Sequence, residues 1–105
     1  MQISKLDART RLSIEMALTA GRGAPALIRQ QDDAAARIGM CGAEIEAARE
    51  GRSFDACGAR ALELALAAGR GDHAHARSRA IQAGIDEEAC CEIQTIAVAY
   101  CQTRG

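Results

Sequence analysis

At 105 residues and 11.0 kDa the chain has the length of one ordinary domain, so residues 1–105 read as a single unit. Hydrophobic residues make up 49% and aromatics only 2%, which leaves the apolar mass in Ala, Leu, Ile and Met, a composition of helices rather than sheets. A net charge of −1 gives no electrostatic case for nucleic acid or anionic membrane as a partner. No apolar run approaches the roughly 18 residues of a membrane span.

The N-terminus lacks the basic-then-apolar pattern of a signal peptide. Five cysteines form an odd set without the regular spacing of a secreted disulfide scaffold, so reduced thiols in a cytoplasm are expected.

In chain order, Asp7 is placed to cap a helix running to about Ala20, with Ile14, Ala17 and Leu18 on one face. Gly21-Arg22-Gly23 stops it. A second helix starts near Ala24-Pro25, where proline suits the first turn, and runs to Gly39. Its expected stripe is Ala24, Leu27/Ile28, Ala34/Ala35 and Ile38. A short helix follows around Ala43–Arg49, ending at Gly51. Ser53 or Asp55 then caps a helix through Leu62, Ala65 and Leu66 to Gly69. The stretch Asp72–Ala83 reads as helical, closed by Gly84. Asp86, with Glu87 and Glu88 behind it, opens the last helix, whose stripe is Ala89, Ile93, Ile96/Ala97 and Tyr100.

An internal repeat organises these elements. Leu6-Asp7-Ala8 recurs as Phe54-Asp55-Ala56, and residues 15–23 recur in register as residues 63–71. The expectation is an all-α bundle of about six helices, built as two helical-hairpin units.

This layout resembles the alkylhydroperoxidase D-like, carboxymuconolactone decarboxylase family. Leu6-Asp7-Ala8-Arg9-Thr10-Arg11 is similar to the family's Leu-Asp-x-x-Thr-Arg helix, and Gly23 to Gly39 matches the next segment in length and in its proline. Glu44-Ile45 resembles the short helix that follows. In the second half, Gly71-Asp72-His73, Gln82-Ala83-Gly84-Ile85-Asp86 and Glu92-Ile93 are similar to longer peroxidase-related members. The resemblance implies an all-α protein assembling as a homo-oligomer, a trimer or hexamer.

Enzymes of that family carry Cys-x-x-Cys-x-x-x-His and an upstream glutamate, which together supply an activated thiolate, a resolving thiol and a base. By the resemblance, the glutamate position here is Leu12, the two cysteine positions are Ala24 and Leu27, and the histidine position is Gln31. All four are replaced. The implied reading is a non-catalytic family member, an assembly or binding module without a cofactor, with Ala24, Leu27 and Gln31 lining a plugged, mostly apolar groove in which Gln31 is a hydrogen-bonded buried amide.

Three other features bear on chemistry. Cys41, Cys57, Cys90 and Cys91, together with Cys101, form no Cys-x-x-Cys pair, and buried structural roles are the ordinary expectation for such thiols. A thiol-dependent antioxidant with relocated cysteines is the alternative, through Cys41 before a helix start, Cys57 in a first turn, or the adjacent Cys90 and Cys91. His73 and His75 would reach one metal only from an extended segment, and a zinc site there would still need Asp72, Cys90 or Cys91, or a partner chain as further ligand. Arg70, His73, His75, Arg77 and Arg79 form a basic run that would either hold an anion or stand solvated.

Overall fold

The computed structural model describes residues 7–20, 24–71 and 73–102, with the backbone alone at residues 101 and 102. Within them lie six helices: α1 (Ala8–Thr19), α2 (Pro25–Arg37), α3 (Gly42–Arg49), α4 (Ala56–Gly69), α5 (Ala74–Gln82) and α6 (Glu87–Gln102). The all-α expectation is met, with no strand among the described residues. The expected stop at Gly21-Arg22-Gly23, the Leu6 end of the repeat and Asp72 lie outside the described residues.

Aspartate starts three of the helices for one physical reason: its carboxylate accepts the orphan amide three residues on. Asp7 Oδ1 takes the Thr10 amide at 2.7 Å, Asp55 Oδ2 takes the Gly58 amide at 2.7 Å, and Asp86 Oδ1 takes the Ala89 amide at 2.8 Å. Of the two expected caps for α4, Asp55 holds the position, while Ser53 Oγ accepts the amide of Asp55 at 3.2 Å. Pro25 opens α2 in the first turn, where its missing N–H costs nothing.

The two halves pack alike. In each, the first helix contacts both the second and the third, and the two first helices, α1 and α4, lie against each other. Each hairpin thus carries a third helix folded back on its first. The structure extends the repeat from the sequence stretches to the packing: Asp7 and Asp55 are equivalent caps at equivalent helix starts.

Helix α1 sits between two apolar clusters. Ile14 and Leu18 join the larger one with α4, α5 and α6, around Leu62, Leu64, Cys90 and Ile93. Leu12 and Met16 join the smaller one with Ala35, Met40 and Ala48. At about 100° per residue, positions two apart point to opposite sides of a helix, so one short helix serves both cores. The single face expected from Ile14, Ala17 and Leu18 is therefore half of the pattern.

The stripe of α2 needs correction. Gln31 and Ala35 are buried, whereas Ala24 and Ile28 are exposed. Gln31 and Ala35, four apart, pack against α1, Gln31 on Thr19 and Ala35 in the cluster of Leu12 and Met16. In α6 the stripe stands as expected, with Ala89, Ile93, Ile96 and Ala97 buried and Tyr100 half-buried.

Candidate functional site

The first turns of α1, α3 and α4 meet at one end of the molecule. Between them lies a groove of about 630 Å³, within the roughly 300–1,000 Å³ of small-molecule sites. Helix α1 contributes Arg9, Thr10 and Ser13, the turn into α3 contributes Met40, Cys41 and Glu44, and the far wall is Arg52, Ser53, Phe54, Asp55 and Gly58. The opposite ends of α1 and α4 also meet, with Leu18 against Gly69. The two helices therefore run in the same direction, and this brings both starts to the groove.

Arg9 fixes one wall. Its Nη1 donates to Glu44 Oε2 at 3.0 Å, and its Nη2 lies 3.3 Å from the carbonyl of Ile38 and 3.2 Å from that of Gly39. Glu44 Oε1 in turn accepts the Cys41 amide at 3.1 Å. A charge-assisted pair thus ties the start of α1 to the start of α3. The Thr10 amide holds the Asp7 carboxyl below its ordinary pKa, helped by the Thr10 side chain and by Arg9. Arg52 pairs with Glu50. Phe54 leaves 71% of its surface exposed, a large apolar side chain at the groove's edge.

The positions singled out by the family resemblance separate in the structure. Leu12 is buried in the smaller core. Ala24 is the exposed N-cap of α2 and Leu27 is half-buried. Gln31, 6% exposed, donates from Nε2 to Thr19 Oγ1 at 3.0 Å. The Thr19 hydroxyl donates onward to the Glu15 carbonyl at 2.8 Å, so the buried amide is satisfied locally. Thr19 lies seven residues beyond Leu12, about 10 Å along the helix axis. Gln31 therefore belongs to the opposite end of α1 from the groove.

The four described thiols occupy four settings. Cys41 is exposed at the N-cap of α3 in the groove wall. Cys57 is exposed in the first turn of α4, its Sγ donating to the Ala83 carbonyl at 3.4 Å. Cys90 is fully buried, and loss of water pushes its thiol pKa up despite the nearby Arg77. Cys91 is exposed, with both terminal nitrogens of Arg77 at 3.9 Å from its Sγ. Among the described residues no cysteine sulfur is hydrogen-bonded to a histidine or carboxylate, the arrangement that thiol activation uses. The side chain of Cys101 lies outside the description.

The basic run does not converge. Arg70 is exposed at the end of α4, His73 caps α5, and His75 is exposed in the first turn of α5. Arg77 turns toward Gln94 and Cys91 on α6, while Arg79 turns to Glu63 on α4. Residues two apart on a helix face opposite ways, which splits the run into separate contacts. Among the described residues no group of three or more His, Cys, Asp or Glu side chains is placed to hold a metal ion.

Sequence reasoning named only Cys41 among the groove residues as a candidate. Arg9, Glu44 and Phe54 are far apart in the chain, and the one available signal was the repeat that places two capping aspartates at equivalent starts. No described helix is long and apolar enough to cross a membrane. Comparison with family models, curated proteins and solved structures finds no match to this chain.

Proposed function

We propose that this protein is a non-catalytic, degenerate relative of the alkylhydroperoxidase D-like family, a homo-oligomeric cytoplasmic binding module whose ligand site is the groove at the starts of α1, α3 and α4. The observation that carries the reading is the groove itself: ligand-sized, walled by the Arg9–Glu44 pair and edged by an exposed aromatic ring. Supporting it, the family's catalytic positions hold Leu12, Ala24, Leu27 and Gln31, none of which supplies a nucleophile or a base.

The test is a protein-detected NMR screen of neutral, cationic and anionic aromatic fragments, run beside an organic hydroperoxide assay with a dithiol reductant. Expected are shifts centred on the amides of Cys41, Glu44 and Gly58, weakened about tenfold by Phe54→Ala, a loss of about 1.4 kcal/mol, with no turnover above the reductant blank. Shifts that avoid the groove would remove it as the binding site.

The thiol-dependent alternative is favoured by one contact, the Arg77 guanidinium held against the exposed Cys91 Sγ. Hydroperoxide turnover by the wild type that Cys91→Ser abolishes would establish that reading in place of the first.

A further inference from the structure

We infer that Arg60 on α4 and Arg79 on α5, gathered on the single carboxylate of Glu63, form a binding site for a small oxyanion, of which a phosphate group is the best match. Arg60 Nη1 lies 3.3 Å from Glu63 Oε1, and Arg79 Nη1 lies 3.3 Å from Glu63 Oε2. Each oxygen of one carboxylate therefore holds a guanidinium from a different helix. The three charges sum to +1, fixed at the junction of α4 and α5.

Three physical points make this excess usable by a ligand. Both contacts are longer than the roughly 2.7–2.9 Å of strong charge-assisted hydrogen bonds, so the pairing is loose. A guanidinium has five N–H donors, and each arginine places only one terminal nitrogen on Glu63 in these contacts. The side chains are partly covered, at 39% exposure for each arginine and 34% for Glu63, so their field is less screened than that of free surface charges.

The other arginines with described side-chain contacts differ. Arg9, Arg49 and Arg52 each meet one carboxylate, and Arg11 faces two, Glu15 and Glu92. Arg77 has no carboxylate in its contacts and is turned to Gln94 and Cys91. Among the described ion pairs only Glu63 draws two guanidiniums together. Paired guanidiniums present planar forks of donors to adjacent oxygens, and a dianion gains from both where a halide gains from neither fork. The carboxylate of Glu63 marks where the two guanidiniums converge, offsets one of their two positive charges, and competes with an incoming anion for them.

The decisive experiment is an NMR titration with inorganic phosphate at pH 7.5, ionic strength held constant with chloride, followed at the arginine side-chain Nε–Hε and backbone amide signals. Saturating shifts at Arg60 and Arg79 are expected, with a dissociation constant on the order of 1 mM and weaker saturation with acetate. Arg60→Gln and Arg79→Gln should each weaken phosphate binding about tenfold. Glu63→Gln, which removes the competing negative charge and leaves both arginines, should tighten it.

Shifts that rise linearly, spread equally over Arg29 and Arg37, or persist in both arginine variants would overturn the assignment. So would acetate binding tighter than phosphate, or loss of binding in Glu63→Gln with an otherwise unchanged spectrum. Native-like amide spectra of the variants separate a lost site from a lost fold.

Discussion

Asp7 shows how one side chain is used twice. Its carboxylate closes the first turn of α1 through the Thr10 amide and stands at the edge of the groove beside Arg9. Replacing an aspartate cap by alanine costs about 1 kcal/mol, so Asp7→Ala is expected to lower stability by that amount at pH 7 in chemical denaturation. Asp7→Asn keeps an acceptor and should lie close to the wild type there. The pH dependence separates them further. A carboxyl whose folded pKa is depressed stabilises the fold above its unfolded value, 3.8 for aspartate, and that contribution fades as pH falls through the lower folded value. Wild type should therefore lose stability relative to Asp7→Asn on acidification below about pH 4. Parallel curves would show that the carboxylate's charge adds nothing to the cap.

At the scale of elements, the turn between α3 and α4 depends on a backbone that only glycine adopts without strain. Gly51 has φ +79°, and a Cβ there would stand 3.0 Å from Leu66 Cδ1. Gly51→Ala is expected to cost about 1–2 kcal/mol from the left-handed backbone, with the contact adding to it. Gly42, at the start of α3, has ordinary backbone geometry and nothing within 4 Å of a built Cβ. Gly42→Ala should be neutral or stabilising by up to about 1 kcal/mol, because alanine loses less chain entropy on forming helix. Thermal melts of the two variants against the wild type measure both, and equal destabilisation would contradict the difference drawn between the two positions.

Across the whole molecule, α1 is the element that makes two packed units one body. The radius of gyration of 12.9 Å is close to the roughly 13 Å of a folded 100-residue domain. Ile14 and Met16 are both fully buried but face different clusters. Truncating a buried Ile or Met to Ala costs about 2–5 kcal/mol. Ile14→Ala and Met16→Ala should each lower stability by that much within a single cooperative transition, since neither cluster keeps its shape once α1 is lost. A two-step melt in which Met16→Ala moves only the first step would show that the halves unfold separately.

What could be read from residue order was whatever depends on local chemistry. Alanine-rich stretches make helices because their chain entropy cost is low. Asp7 and Asp86 start two of them because a short carboxylate reaches the third amide, Ser53 and Asp55 stood as alternatives for a third, and the recurrence of residues 15–23 at 63–71 announced two similar units. The candidate site was not legible in the same way. Arg9 meets Glu44 35 positions later, and Arg79 joins Arg60 on Glu63 rather than extending the basic run. Each depends on how helices cross and which way they run, and that is settled by packing small side chains around α1 rather than by any motif. Helix identity follows from neighbours in the chain, whereas a groove or an arginine pair exists only once distant helices are fixed side by side.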